Sequence, residues 1–311
     1  MTTGWKTHEV LPLSAPPWTR PCPPFHQCRG NNALSERSVT VIRSTVPASS
    51  RVPDGFRELV AYRELLGYMT LNRLRVRYQN SWLGWAWAVL QPLAFLAFLT
   101  VVGSAVGGRS SLEVPYPLFI LASLSPWTFF ATSLSTAAAG VLSSRSLIAK
   151  VYFPREIVPL SYVFAALADL AIATALTMAA LACTGYTIPM TVAELIPISL
   201  ILIIYAAAFS LILSIAQIGF RDIAIGLPLL LQGMLFTTPV LYPLNAVPAQ
   251  WRTIYELNPL ALLVEAFRGA LIGNQMIGVG QLTYATIVGL LLFSIAYFIF
   301  KTAEPDMVDE I

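Results

Sequence analysis

Charged side chains are scarce in this chain of 311 residues. Lys, Arg, Asp and Glu together make up 11% of it, whereas a soluble domain carries about 25%. Hydrophobic residues reach 56% and the mean hydropathy is +0.68, so there is too little polar surface to face water. This composition excludes an ordinary soluble protein. It predicts an all-α integral membrane protein with about six transmembrane helices of about 20 residues each.

Histidine and cysteine are also rare, with two and three copies. Cys22, His26 and Cys28 lie between prolines at irregular spacing, which does not match a zinc site. Cys183 stands alone in an apolar run, and we expect it to be a small buried side chain. The cysteines therefore predict neither a disulfide framework nor a metal centre.

The sequence contains no Gly-x-x-x-x-Gly-Lys-Ser/Thr loop, so the chain lacks that means of binding ATP. Both histidines lie in the N-terminal tail, and few acids or bases interrupt the apolar runs. Acid–base catalysis within a membrane needs several such groups. A catalytic role is therefore disfavoured, and any uphill transport needs energy from a separate subunit.

Positive charge collects at the N-terminal side, where the net charge through Trp82 is +6 and that of the remainder is −3. By the positive-inside rule this side is cytoplasmic, and six crossings return the C-terminus to it. Four regions follow: 1–50, a disordered cytoplasmic tail rich in Pro, Ser and Arg; 51–82, an amphipathic interfacial helix region; 83–301, a six-span transmembrane domain; and 302–311, a cytoplasmic C-terminal tail.

An apolar stripe at helical spacing begins the second region. It consists of Phe56, Leu59, Tyr62, Leu66 and Met69. Arginines interrupt it, and three tryptophans follow within the next 20 residues. Because Arg finds lipid phosphate and indole rings prefer the membrane surface, we predict a helix in the headgroup layer. The alternative is an ordinary amphipathic helix packed on a partner.

Six apolar segments bounded by polar, Gly or Pro residues are the predicted transmembrane helices. They run from Leu83 to Val106, from Tyr116 to Ala139, from Ile157 to Cys183, from Leu195 to Ile218, from Ile223 to Leu241 and from Leu282 to Phe300. The connection after the second segment is basic and the one after the fourth holds Arg221 beside Asp222, which is consistent with cytoplasmic connections. The long outer connection contains an apolar stretch, Leu260 to Leu271, that is too short to span. We predict an outer re-entrant helix pair there.

Asp169 is the clearest ionisable residue inside the predicted spans. A carboxylate in lipid is a functional candidate, because leaving it charged and unpaired costs several kcal/mol. The alternative is a protonated or hydrogen-bonded acid buried between helices. Gln91, Gln217 and Gln232 have the same two interpretations, as groups that line a path or as interhelical hydrogen bonds.

Several short motifs follow one another in a fixed order along residues 56–301. They are Gly84-Trp85-Ala86-Trp87-Ala88-Val89-Leu90-Gln91-Pro92, Phe220-Arg221-Asp222, Thr238-Pro239-Val240-Leu241-Tyr242-Pro243, Asn258-Pro259-Leu260 and Glu265-Ala266-Phe267-Arg268. In this order they resemble the ABC-2 type permeases that export polysaccharides, which include O-antigen, capsule and teichoic acid. Residues 1–50 have no counterpart in that family.

This resemblance implies a homodimer of six-span permeases with two cytoplasmic ATPase subunits, which pass a lipid-linked glycan outward. ATP and Mg²⁺ would bind to the ATPase subunits, so this chain would carry no cofactor of its own. Its other partners would be membrane lipid and the glycan, and not nucleic acid. The expected location is the cytoplasmic membrane, and we favour the inner membrane of a Gram-negative cell.

In such an assembly the cytoplasmic connection from Ser143 to Pro159 would couple the permease to the ATPase. Its apolar side chains would fill a groove on the partner: Leu147, Ile148, Val151, Tyr152 and Phe153. Its charged side chains would fix the register: Arg145, Lys150, Arg155 and Glu156. Arg221 and Asp222 would contact the same partner or pair with each other. The alternative is a plain basic connection that only sets topology.

A glycan path needs aromatic surfaces, hydroxyl-binding groups and few fixed charges. The candidates are Gln91, Trp127, Phe129, Phe130, Asp169, Phe236 and Tyr242; alternatively the aromatic residues face lipid or the core. At the cytoplasmic opening Arg73, Arg75 and Arg77 would attract the pyrophosphate of a lipid carrier, or would anchor the chain to anionic lipid.

The outer exit would be shaped by the connection after the fifth span. The residues concerned are Trp251, Tyr255, Asn258, Glu265 and Arg268. Glu265 and Arg268, at i and i+3, are expected to pair.

The sequence therefore predicts the permease subunit of an ABC exporter that moves a lipid-linked polysaccharide outward. A small-molecule or drug exporter of the same architecture is the main alternative. A membrane-embedded enzyme of glycan synthesis and a non-transport scaffold rank below it.

Overall fold

The computed structural model describes residues 57–79, 84–105, 114–148, 153–186, 189–220, 222–273 and 278–304. Within these ranges the chain is helical, with turns between the helices and no strand. The predicted tail 1–50, residues 305–311 of the C-terminal tail, and the group Cys22, His26 and Cys28 lie outside the described residues.

Ten α-helices are labelled here in chain order among the described residues. They are α1 Arg63–Gln79, α2 Trp87–Ala105, α3 Tyr116–Ser143, α4 Arg145–Ile148, α5 Ile157–Cys183, α6 Leu195–Gly219, α7 Ile223–Thr237, α8 Ala249–Leu257, α9 Pro259–Ile272 and α10 Val279–Ala303. Residues 57–61 are also helical and precede α1. Short 3₁₀ turns precede α2, α6 and α8.

The six predicted apolar segments all contain helices, namely α2, α3, α5, α6, α7 and α10. Four described segments are long and apolar enough to cross a membrane: Tyr116–Ser143, Ile157–Cys183, Met190–Gly219 and Val279–Ala303. Two apolar helices, Trp87–Val101 and Ile223–Thr237, are shorter. The chain is thus a multi-pass membrane protein, and a crossing by the two shorter helices stays a prediction.

The fifth predicted segment is longer than the helix it contains. We expected it to continue to Leu241, but α7 ends at Thr237 and Thr238 has extended backbone angles. Pro239 explains the difference, because the residue before a proline is pushed out of the helical region. Cys183 is a second correction, since its thiol is exposed at the end of α5 and not buried.

The central helix of the bundle is α3, which is buried along most of its length and contacts α5, α6 and α9. Small residues on its surface permit close helix packing, as is usual between membrane helices. At Gly140 an added Cβ would lie 2.0 Å from the Tyr162 ring, so only glycine fits there. This close approach fixes Tyr162 of α5 against α3.

The predicted apolar stripe before the first span packs on the chain itself. Leu59, Leu66 and Met69 contact a cluster formed by the ends of α3, α5, α6 and α10, whereas Tyr62 is 37% exposed. Neither alternative considered above anticipated this packing, because both placed the stripe against lipid or a separate partner. The opposite face of α1 is also partly apolar, with Tyr68 and Leu71 exposed. That second face is free to meet lipid.

The predicted outer helix pair is present as α8 and α9. Helix α9 is buried from Leu260 to Leu271 and belongs to the main core of the bundle. The Asn258 side chain caps its N-terminus by accepting a hydrogen bond from the Leu260 amide at 3.1 Å. Gly273 ends it at φ 81°, a left-handed conformation that favours glycine. A dip of this pair into the outer leaflet stays a prediction.

Candidate functional site

Two adjoining cavities lie between α1, α2, α3 and α5. The first, here called the carboxylate cavity, has a volume of about 230 Å³. Helix α2 supplies Ala88, Gln91, Pro92 and Phe95; α3 supplies Leu124, Trp127, Thr128, Ala131 and Thr132; α5 supplies Asp169 and Ala173; α1 supplies Arg77. Apolar walls with a few polar groups are the usual composition of a small-molecule site.

The second space, here called the arginine cavity, has a volume of about 310 Å³. Its lining is Asn72, Arg73, Leu74, Val76 and Arg77 from α1, Thr132 and Thr136 from α3, and Tyr162, Ala165 and Ala166 from α5. Arg77 and Thr132 line both cavities. The two spaces therefore meet at these side chains.

Three threonines run along the α3 side of both cavities. Thr136, Thr132 and Thr128 are spaced by four residues, which places them on one helix face over about 12 Å. The Thr136 and Thr128 hydroxyls donate to backbone carbonyls of α3 at 2.6 Å and 3.1 Å. Each hydroxyl oxygen keeps lone pairs for a ligand, because a hydroxyl can donate once and accept twice.

The charged groups are arranged along the same line. The Arg77 guanidinium donates to the Asp169 carboxylate at 2.6 Å, where the two cavities meet. Arg73 donates to the Ser144 hydroxyl at 2.8 Å, and its guanidinium lies 4.2 Å from the centroid of the Tyr162 ring. The Asp169 carboxylate thus pairs with Arg77, while Arg73 is held by Ser144 and Tyr162. The predicted alternative of a hydrogen-bonded acid between helices is compatible with this pairing.

The predicted substrate-path residues fall into separate places. Gln91, Trp127 and Asp169, which lie far apart in sequence, line the carboxylate cavity together. Phe129 and Phe130 are buried in the core, so the structure does not present them to a path. Phe236 on α7 is 60% exposed. Tyr242 lies in the outer connection and contacts Tyr255.

Arg73 and Arg77 line the arginine cavity, whereas Arg75 is exposed and lines neither cavity. The helical repeat explains this difference. Arg73 and Arg77 are four residues apart and share a face of α1, whereas Arg75 is two residues from each and lies on the far side of the helix. The structure therefore separates Arg75 from the predicted set.

The predicted pair at the outer side is confirmed. Glu265 and Arg268 form an ion pair at 3.0 Å, and both side chains are almost completely buried. Arg268 also donates to the Ser123 hydroxyl and the Pro239 carbonyl at 3.3 Å and 3.1 Å. Burial raises the pKa of the Glu265 carboxyl, and the Arg268 guanidinium partly opposes this. The pair joins α9 to α3 and to the turn after α7.

The remaining exit candidates have mixed positions. The Tyr242 and Tyr255 hydroxyls lie 2.9 Å apart, and their rings meet edge to face at 6.4 Å. Trp251 is exposed. Asn258 acts as the helix cap described above, which is a structural role that its motif did not predict.

The residues predicted to contact the ATPase fall into exposed, buried and undescribed groups. Leu147 is exposed, and Asp222 is exposed just before α7. Lys150, Val151, Tyr152, Arg221 and the Ile148 side chain lie outside the described residues. Phe153 packs in the core cluster beneath α1, so it does not fill a groove on a partner as predicted.

Glu156 is the largest departure from the predicted coupling surface, because its side chain is completely buried. The Lys301 ammonium lies 2.9 Å and 3.0 Å from its two carboxylate oxygens, and the Tyr297 hydroxyl donates to it at 3.2 Å. Lys301 also contacts Glu304 at 3.0 Å, whose backbone carbonyl accepts from the Arg155 guanidinium. These contacts tie the connection before α5 to the end of α10.

Sequence reasoning missed Tyr162, Lys301 and the threonine face of α3. A lysine at the end of an apolar run was interpreted only as a topology signal, although buried partners for it existed elsewhere. The three threonines have a visible four-residue spacing, which is a signal that sequence reading can use. Within the described ranges, no three His, Cys, Asp or Glu side chains gather as metal ligands do.

Comparisons with known proteins agree with the architecture. Residues 64–272 match the profile of the family described as ABC-2 type transporter. The chain is 29% identical over 234 residues to the O-antigen export system permease protein RfbA of Klebsiella pneumoniae, covering 73% of this chain and 89% of that protein. It is 27% identical to the RfbA protein of Myxococcus xanthus over 241 residues, covering 76% and 92%. It is also 27% identical to the polysialic acid transport protein KpsM of Escherichia coli over 243 residues, covering 76% and 93%.

Proposed function

Because the chain belongs to the ABC-2 type transporter family, we propose that it is the membrane permease of an exporter for lipid-linked polysaccharide. The cargo is an O-antigen or capsule-like glycan that moves outward across the cytoplasmic membrane. Two findings support this function: relatives whose names state O-antigen export and polysialic acid transport, and a cavity pair that combines guanidinium, hydroxyl, amide and indole groups.

The observation that carries the proposal is the position of Arg73 and Arg77 in one cavity next to Gln91, Trp127 and Asp169 in the other. A lipid-linked glycan presents a pyrophosphate followed by sugars. Guanidinium groups bind phosphate oxygens through charge-assisted hydrogen bonds. Indole and amide groups suit sugar rings and hydroxyls. The site thus offers both chemistries side by side.

The proposed assembly includes a partner that supplies the energy. Its sequence has no phosphate loop for ATP, so a separate ATPase subunit binds ATP and Mg²⁺. The proposed complex is a homodimer of this chain with two such subunits. All six apolar helices cross the inner membrane, and both termini are cytoplasmic.

Coupling to the ATPase runs through the connection between α3 and α5. Leu147 on α4 is exposed and belongs to the proposed contact surface. Glu156 and Phe153 anchor the connection to the bundle from inside. A displacement of this connection by the ATPase would therefore move α5 and α10 together.

The test is a complementation experiment in cells that lack this gene. We expect lipid-linked glycan to accumulate inside and to disappear from the surface, and the native gene to restore both. The variant Arg73→Gln should lower surface glycan at least tenfold, because losing a charged hydrogen bond costs about 1.5–3 kcal/mol. Unchanged glycan on both sides of the membrane in the gene-deleted cells would contradict the proposal.

Arg63→Gln is the matched control, since Arg63 is exposed on the same helix and lines neither cavity. It removes the same charge and should leave export intact. Because Arg73 also contacts Ser144 and Tyr162, the amount of membrane-inserted protein is measured for both variants. Equal amounts of protein with unequal export assign the effect to the arginine cavity.

A further inference from the structure

The two cavities lie one after the other along α3 and α5, which meet them in opposite sequence order. The arginine cavity contains Thr136, near the C-terminal end of α3, and Tyr162, near the N-terminal end of α5. The carboxylate cavity contains Thr128, earlier in α3, and Asp169, later in α5. Thr136 and Thr128 are about 12 Å apart along α3. A ligand that occupies both cavities must therefore present different chemical groups at the two ends of that distance.

The arginine cavity has the composition of a site for a doubly charged anion. Two guanidinium groups, a tyrosine side chain and two threonine side chains line it. Arg73 is held in place by Ser144 and the Tyr162 ring, so it loses little freedom on binding a ligand. A pyrophosphate diester carries the charge and the oxygens that this lining suits.

The carboxylate cavity has a different composition. It offers one carboxylate, one amide, two threonines and an indole against apolar walls. Its volume of about 230 Å³ is below the about 300–1,000 Å³ of drug-sized pockets. That space is large enough for one sugar ring. The Asp169 carboxylate accepts hydrogen bonds from hydroxyls and repels a second carboxylate.

Resting on the proposed function, we propose that the carboxylate cavity binds the single sugar attached to the pyrophosphate of the lipid-linked substrate. The pyrophosphate occupies the arginine cavity, and Arg77 contacts both parts. The site selects a neutral or N-acetylated hexose at this position and rejects an acidic sugar because of Asp169. The permease thus recognises the reducing end of its cargo, whatever repeats follow.

An ionisable side chain inside a predicted membrane span supports a recognition role. Asp169 lies 12 residues into α5, and ionisable groups at such depth are expensive and mark substrate sites. The rival explanation is a purely structural ion pair that joins α1 to α5. If the ion pair is only structural, the binding affinity for the lipid should not depend on the attached sugar. The experiment below measures that dependence.

The experiment measures equilibrium binding to the purified complex of the permease with its ATPase in phosphatidylcholine nanodiscs. Three fluorescent probes are compared: polyprenyl pyrophosphate without a sugar, the same lipid with N-acetylglucosamine, and the same lipid with glucuronic acid. Phosphatidylcholine carries no net charge, so anionic lipid does not compete for the arginines. We expect the N-acetylglucosamine probe to bind about tenfold tighter than the other two.

Two variants of the sugar site are tested, and each keeps the arginines. Thr128→Val is isosteric and should remove most of the tenfold preference for N-acetylglucosamine over the bare lipid. Asp169→Asn should remove the discrimination against glucuronic acid. Thr128→Val should bind the bare lipid like the native protein, which also shows that it is folded. Asp169→Asn removes the carboxylate partner of Arg77, so its result is read as the ratio between the two sugar probes and not as its affinity for the bare lipid. The control Thr283→Val alters an exposed threonine of α10 and should change no ratio.

The outcomes separate the two proposals. If the native complex binds all three probes equally, or if both variants keep the native ratios, the proposed sugar site is contradicted. The proposed export of a pyrophosphate-linked lipid is then unaffected. If the native complex binds none of the probes, the proposed function fails and the sugar site fails with it. A loss of the sugar ratio in Thr128→Val and Asp169→Asn alone supports the inference.

Discussion

Replacing Lys301 by Met is the sharpest test of the contacts that join the connection before α5 to the last helix. Lys301 is 5% exposed, and its ammonium lies 2.9 Å from a Glu156 carboxylate that is completely buried. Methionine keeps an unbranched chain of similar length and removes the charge. The change therefore isolates the ion pair from the packing around it.

The expected loss follows from what remains beside Glu156. The Tyr297 hydroxyl still donates to it, but no cation in the described contacts replaces Lys301. Breaking a buried pair by removing one partner costs about 3–5 kcal/mol. The reverse variant, Glu156→Gln, should cost only about 1–3 kcal/mol, because Lys301 keeps Glu304 at 3.0 Å.

The effect should also depend on pH. Burial raises the pKa of the Glu156 carboxyl, and the Lys301 ammonium opposes that rise. Without Lys301 the pKa in the folded state rises further above its unfolded value. When a carboxyl has a higher pKa in the folded than in the unfolded protein, the folded protein becomes less stable as the pH rises from the unfolded to the folded pKa. Lys301→Met should therefore lower the free energy of unfolding more in alkaline than in mildly acidic solution.

The assay is denaturant unfolding of the purified protein in detergent, followed by tryptophan fluorescence at several pH values. The control is Thr302→Ala, which alters an exposed neighbour of Lys301. The double variant Glu156→Gln with Lys301→Met completes a double-mutant cycle. The reasoning is refuted if Lys301→Met costs less than about 1 kcal/mol, or if the two single effects simply add in the double variant.

Two further substitutions test the packing and the outer pair. Gly140→Ala places a Cβ 2.0 Å from the Tyr162 ring and should lower the free energy of unfolding by about 1–3 kcal/mol. Gly233→Ala, with nothing within 4 Å of the added Cβ, should be neutral or stabilising. Equal effects of the two variants in thermal unfolding would contradict this expectation. Arg268→Met leaves the Glu265 carboxylate buried without its guanidinium and should lower the free energy of unfolding by about 3–5 kcal/mol. A change in the melting temperature no larger than that of Gly233→Ala would contradict this.

Much of the fold follows from hydrophobic runs of the right length, because the membrane allows only helices with internally satisfied backbones. The segment from Ile157 to Cys183 matches α5 at both ends. The Glu265–Arg268 pair was predictable since i,i+3 spacing places both side chains on one face of a helix. Local periodicity is sufficient for such features.

The remaining interactions depend on contacts between distant parts of the chain. Arg77 and Asp169 are 92 residues apart, and Lys301 and Glu156 are 145 residues apart. Nothing in the local pattern says which cation meets which carboxylate. The same limitation explains why Phe153 was assigned to a partner groove, although its apolar ring has a place in the chain's own core.

Pro92 within α2 has a consequence for the wall of the carboxylate cavity. Proline has no amide hydrogen, so the carbonyl of Ala88, four residues earlier, lacks its usual intrahelical donor. Both residues line that cavity, and a backbone carbonyl in a membrane environment needs a donor from elsewhere. A hydroxyl of a sugar bound there can supply it, in which case the ligand completes the hydrogen bonding of the helix that contains it.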